Sequence, residues 1–214
     1  MQRSIAATCS ALTIAALLGG AIATPAFAAP RKTHTTATTT VTQLDPAEIA
    51  GLTYMREEEK LARDVYAYFY PMWNATLFAN ISSSEQEHFE AIGGLLDRYR
   101  LDDPAQQDLP GVFQNPELQA LYDQLIAQGG STALAALQVG ALIEETDMVD
   151  IVEAMSQTDQ ADILEVYDNL LRGSRNHLRA FVDAIEAQGV PYTAQVLPQD
   201  EVDAIVDSPM ERGK

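Results

Sequence analysis

The chain of 214 residues carries 31 Asp and Glu against 13 Lys and Arg, a formal net charge of −18, and one cysteine. That acid excess argues against a nucleic-acid surface, which works by neutralising phosphates, and it gathers cations around the molecule instead. A lone thiol, Cys9, excludes an internal disulfide framework and cysteine-ligated metal, so any metal ion must be held by carboxylate and imidazole.

Residues 1–28 read as a secretory signal: Arg3, an apolar run over 11–23, and Ala26-Phe27-Ala28 as an A-x-A cleavage pattern. The run is short of the roughly 20 residues a membrane span needs. Cleavage is expected after Ala28, giving a secreted or extracytoplasmic protein with no span. Loss of this segment removes Arg3, Cys9 and no acid, which moves the charge from −18 to −19. Residues 29–44 are rich in threonine and poor in large apolar groups, the composition of a disordered linker. His34 lies within it and is not expected to be a ligand.

From Asp45 the pattern is helical. Asp45 as cap, Pro46 at the first position and Glu48 in the first turn open a helix expected to run to Tyr70, where Pro71 stops it. Ser82 and Glu85 have capping-box spacing and predict a second helix over 82–100. A connection with Pro104 and Pro110 contains a short helix between Asn115 and Gly129. Two long helices follow, over 131–156 and 159–188, and a tail over 196–214 has room for one short helix. No segment alternates with period two. The expected class is all-α, a ferritin-like four-helix bundle over 45–195 whose long crossover between the second and third long helices holds the short extra one.

Helical periodicity then asks which charged residues face inward. Glu85 and His88 share a face with Ile81, Ile92, Leu95 and Tyr99. His177 lies among Leu170, Phe181 and Ala184, and Glu58 and Glu59 flank or enter the face made by Leu61, Ala62, Val65, Tyr66 and Phe69. Leu142 and Val149 bracket Glu145. Glu57 is expected to face solvent. Buried carboxylates without partners are costly, so either arginine (Arg63 and Arg175 are candidates) or a divalent metal must compensate them. Glu85-Gln86-Glu87-His88 has the E-x-x-H spacing that puts a carboxylate and an imidazole one turn apart on one face.

These residues resemble the ferritin, bacterioferritin and rubrerythrin superfamily, through Glu59-x-x-Ala62-x-x-x-Tyr66, "SEQEH" and "ALIEE". More closely, "YMREEEKLARDVY", "GALIEETD" and "LLRGSRNHLRAF" resemble an uncharacterised prokaryotic family of ferritin-like domains, a domain of unknown function. The resemblance covers about residues 48–195. It implies a metal set of Glu59, Glu85, His88, Glu145 and His177, with Glu58, Glu144 and Asp147 as alternates. The cofactor it implies is iron, as a di-iron pair or a single ion, with manganese or zinc as alternatives. Ser174 stands where the second E-x-x-H of such proteins has its glutamate. Tyr66 is the candidate catalytic residue, a one-electron donor for oxidation of Fe(II) by dioxygen or peroxide. The other expectation is a non-catalytic extracytoplasmic module that sequesters metal or presents a helical surface to a partner. Oligomeric state is left open.

Overall fold

Asp45 begins the ordered helices as its sequence suggests. Its carboxylate accepts from the Ala47 and Glu48 backbone N–H groups, and Glu48 returns the bond to the Asp45 N–H. This reciprocal cap opens α1 (Pro46–Trp73), followed by α2 (Thr76–Tyr99), α3 (Pro116–Gly129), α4 (Ala133–Ser156), α5 (Ala161–Glu186) and α6 (Gln199–Val206). The structure is a computed structural model that describes residues 43–213. The expected signal segment and the linker through residue 42 lie outside the described residues. Leu44, at the end of the expected linker, is already buried. Among the described residues the protein is all-helical with no strand, and no helix there is long and apolar enough to cross a membrane.

Two helix boundaries differ from the sequence reading. α1 passes through Pro71, because a proline in the last turn deletes only one hydrogen bond. The stop is Asn74, which turns left-handed at φ 49° and donates its N–H to Tyr70 O. α2 therefore begins at Thr76 rather than at Ser82. The Ser82–Glu85 pair is not a cap: Ser82 donates to the Arg63 carbonyl, and Glu85 is buried inside the helix packing.

α1 packs chiefly on α2, and α4 on α5. α3 lies against α1 and α4, and the two pairs meet along α1–α4 and α2–α5. The apolar interior forms two clusters. One centres on Tyr66, Phe69, Phe78 and Phe181, whose neighbouring rings lie 5.2–6.3 Å apart. The other gathers Leu52, Met55, Ile92, Leu96, Ile163, Tyr167 and Leu170. Each fully buried aromatic or aliphatic side chain contributes about 1.5–3 kcal/mol. Along α1, α2 and α5 the chain passes from one cluster to the other, and the residues at the passage are Glu58 and Glu59, Glu85 and His88, and His177.

α1 is buried on nearly every side from Met55 to Tyr66, which explains its dense charge. The face away from the interior is covered by residues 101–115, and its charges are matched by them. Arg56 pairs with Asp103 at 2.9 Å and lies over the Phe89 ring. Lys60 bonds Asp64 and the Leu109 carbonyl, and Arg63 bonds Asp64, Asp108 and Gln86. Glu57, expected at the surface, is instead buried and accepts from the Gln114 and Asn115 N–H groups at 2.5 and 2.9 Å. It places an anion at the N-terminus of α3, where the helix dipole favours one.

Candidate metal centre

Glu59 from α1, Glu85 and His88 from α2, Glu144 from α4 and His177 from α5 converge in the layer between the two apolar clusters. They form two overlapping triads, Glu59–Glu85–His88 and Glu85–Glu144–His177, with the potential ligand atoms of each within 4.8 Å of one another. Glu85 belongs to both. Its Oε2 lies 2.7 Å from His88 Nδ1 and its Oε1 lies 2.7 Å from His177 Nδ1. Glu59 Oε2 stands 3.3 Å from His88 Nδ1, and Glu144 Oε2 stands 3.4 Å from His177 Nδ1. The imidazole centroids are 5.6 Å apart.

Neither Nδ1 is aligned for a hydrogen bond with these oxygens, and Glu59 Oε1 also has no partner. Buried polar atoms are normally satisfied, so three unpartnered atoms in the two triads make the layer a candidate ligand set. His177 Nε2 lies 2.9 Å from Ser84 Oγ; donation from Nε2 to that hydroxyl leaves Nδ1 free as a neutral ligand. The His88 ring presses against α5 at Gly173, where an added Cβ would come within 2.4 Å of His88 Cε1. Tyr66 donates to Glu144 Oε1 at 2.6 Å and fixes that carboxylate from below.

The electrostatics follow from burial. Desolvation raises Glu59 and Glu144 to about 7, even though His88 and His177 respectively oppose the shift. Burial would lower both imidazoles, but the carboxylates outweigh it: His177 rises to about 10 beside Glu85 and Glu144, and His88 rises well above its ordinary value beside Glu85 and Glu59. Burial would likewise raise Glu85, and the two imidazoles, His177 foremost, hold it well below the usual carboxylate range. The layer therefore holds protons on its imidazoles and, up to about neutral pH, on Glu59 and Glu144.

Glu145, expected among the ligands, is turned away. Its carboxylate accepts from Tyr192 Oη at 2.5 Å and from the N–H groups of Gln195, Val196 and Leu197. It anchors the segment that follows α5, and Glu144 takes the inward position. α4 is covered on two sides, so Leu142 and Val149, which suggested Glu145, are only half-buried and exposed respectively. In the structure Leu137, Ala141, Glu144, Met148 and Ile151 line one buried stripe of α4, which turns Glu144 inward. Ser84 and Gly173 were not singled out as site residues; Gly173 had a signal, a residue without a side chain one turn from an inward histidine.

Ser174 Oγ donates to Asp147 Oδ2 at 2.5 Å, while Asp147 Oδ1 has no partner. Glu58 Oε2 is similarly unpartnered. Neither arginine named as a counter-charge reaches the centre. Arg63 is engaged with Asp64 and Asp108, and Arg175 binds Glu211 at 2.5 Å. Among the described residues no Lys or Arg forms an ion pair with Glu58, Glu59, Glu85, Glu144 or Asp147.

A family model described as an uncharacterized protein domain, DUF2202, matches residues 48–209. The uncharacterized protein MJ0754 of Methanocaldococcus jannaschii is 46% identical over 166 residues, which cover 78% of this chain and 90% of that protein. The crystal structure of hypothetical protein MJ0754 from Methanococcus jannaschii DSM 2661 aligns with a TM-score of 0.77 at 44% identity, over 79% of this chain and 97% of the other. The family match runs from the first turn of α1 to beyond α6, so it takes in the acid–histidine layer and the segment that Glu145 anchors.

Proposed function

The chain belongs to the DUF2202 family, and we propose that its acid–histidine layer is a centre for two divalent metal ions inside a ferritin-like four-helix bundle. The observation that carries this reading is Glu85, a single buried carboxylate whose two oxygens each meet a different imidazole nitrogen, while no Lys or Arg of the described residues pairs with the acids. A carboxylate so placed can bridge two cations, with Glu59 and His88 completing one position and Glu144 and His177 the other. Three ionised ligand carboxylates and the nearby Asp147 bring four negative charges to meet the four positive charges of two divalent ions. The pairing of α1 with α2 and of α4 with α5, joined by a crossover that holds α3, supports the bundle reading.

Oxygen and nitrogen ligands without sulfur suit iron or manganese, and zinc can take the same set. We assign iron; bound there it supplies one-electron chemistry, the oxidation of Fe(II) by dioxygen or peroxide. The chain's own residues prepare that chemistry. The apolar clusters on either side exclude water, Ser84 orients His177, and Glu59 and Glu144 give up their protons when a cation replaces them. Tyr66, whose phenol touches Glu144 Oε1, is the group placed to lend an electron. The signal-like pattern over residues 1–28 supports a site of action outside the cytoplasm.

The test is metal content after anaerobic Fe(II) loading and desalting, on the protein and on Glu85→Ala and His177→Ala. Two irons per chain, lost in both variants and retained in Glu145→Ala, is the expected result. Iron bound at full stoichiometry without consumption of dioxygen or peroxide would turn the reading into metal sequestration. No uptake of iron, manganese or zinc would overturn it.

A further inference from the structure

The two triads share Glu85, yet their surroundings hold them unequally. In the half made by Glu144 and His177, each ligand is fixed by a further side chain. Tyr66 donates to Glu144 Oε1 at 2.6 Å. The phenol cannot swing away, because its ring is fully buried beside those of Phe78 and Phe181, with centroids 6.3 and 5.2 Å distant. Ser84 Oγ lies 2.9 Å from His177 Nε2, and the other ring nitrogen, Nδ1, faces Glu85 and Glu144 at 2.7 and 3.4 Å. Tyr66 comes from α1 and Ser84 from α2, while the ligands they hold come from α4 and α5, so this half is set by contacts among all four long helices.

The half made by Glu59 and His88 lacks such support among the described residues. Glu59 Oε1 and His88 Nδ1 are buried without a hydrogen-bond partner. The far edge of the His88 ring packs on α5 at Gly173, which has no side chain to bond it: a Cβ there would stand 2.4 Å from Cε1 and 2.5 Å from Nε2. Packing confines this ring, and nothing corresponding to Ser84 orients it. Hydrogen bonds from neighbouring side chains to metal ligands fix their direction, raise their basicity and tighten binding. Ligands already held in place also lose less freedom when an ion arrives. Because both positions use Glu85, the second ion to enter meets the positive charge of the first.

We infer that the two positions of the centre do different work. The Glu144–His177 position takes the first divalent ion and keeps it, and the Glu59–His88 position takes the second and exchanges it. Tyr66 and Ser84 are the positioning residues that set this order, acting through Glu144 and His177. The inference rests on the metal centre proposed above and divides it into a resident ion on one side and, on the other, the place where substrate iron enters and leaves.

Equilibrium titration of the metal-free protein with Co(II), followed by its visible absorption, tests the order of filling. Two steps are expected, separated by about tenfold or more in Kd, and a Zn(II) chase of the loaded protein should displace one Co(II) quickly and the other slowly. Glu59→Gln is expected to remove the weak step and keep the tight one, and Glu144→Gln to remove the tight step. Ser84 is half-buried, so Ser84→Ala does not threaten the fold; it and Tyr66→Phe should weaken the tight step by about tenfold to a hundredfold and leave the weak step in place. Ser84→Thr, which keeps the hydroxyl, should restore it. Equal weakening of both steps in Ser84→Ala and Tyr66→Phe would overturn the positioning role. Two equal steps, or a tight ion lost in Glu59→Gln and kept in Glu144→Gln, would overturn the order while the centre stands. Absence of Co(II) uptake by the unaltered protein would overturn the centre and the order with it.

Discussion

Gly173 shows how narrow the tolerance around the centre is. The His88 ring occupies the space where any other residue at 173 would place its Cβ. Gly173→Ala is expected to push His88 off Glu85 and Glu59, to cost about 1–3 kcal/mol through overpacking, and to weaken metal binding by about tenfold to a hundredfold. Thermal unfolding and equilibrium metal titration measure the two effects. The titrating groups make a second prediction. Glu59 and Glu144 are raised from 4.5 to about 7 in the fold, so between those values the folded protein binds more protons than the unfolded chain. His177, raised from 6.5 to about 10, does the same over the higher range. Stability falls with pH wherever the folded state holds the extra proton. The metal-free protein is therefore expected to lose Tm steadily as pH rises from about 5 to about 8. A flat or rising profile would contradict the cluster's protonation.

At the scale of the helix, α4 is the element whose role depends on both its faces. One face gives Glu144 to the centre, and the next residue holds the segment after α5. In Glu145→Ala, three backbone N–H groups lose a charged acceptor, at about 1.5–3 kcal/mol for a charge-assisted bond. Amide exchange at Gln195, Val196 and Leu197 is expected to accelerate, with metal content unchanged; loss of metal would return Glu145 to the ligand set. Much of this was legible in the chain. Asp45-Pro46-Glu48 marks the start of α1, and the E-x-x-H spacing of Glu85 and His88 puts both at the interior. The choice between Glu144 and Glu145 was not legible, because a helix covered on two sides has no single apolar stripe to separate adjacent glutamates. Glu57 misled for the same reason: its partners are backbone N–H groups at the start of α3, 57 and 58 residues away, and no local pattern announces them.

For the molecule as a whole, the proposed metal centre links metal to fold. A cation bound only by the folded state adds stability that grows as the logarithm of one plus its free concentration over Kd, about 2.7 kcal/mol at a hundredfold excess over Kd. Loading with Fe(II) under anaerobic conditions, or with Co(II), is expected to raise Tm, and the rise should grow with pH as protons leave Glu59 and Glu144. Chelation should return the metal-free value. A Tm indifferent to metal at every pH would mean that the acids form a self-contained proton-sharing network.

The segment that Glu145 anchors also bears on how the chain acquires its shape during synthesis. Arg179 is buried and donates to the Ile205 and Ser208 carbonyls and to Glu211, while Glu145 receives its donors from residues 192–197. These partners leave the ribosome only after α1 to α5 have emerged. Until then one anion and one cation, on adjoining helices, have no compensation, and burying either is expensive. The nascent helices can associate, but they are expected to settle around the acid–histidine layer only once residues 192–211 are available, so a chain truncated before residue 192 should gain amide-exchange protection in α4 and α5 more slowly than the full one.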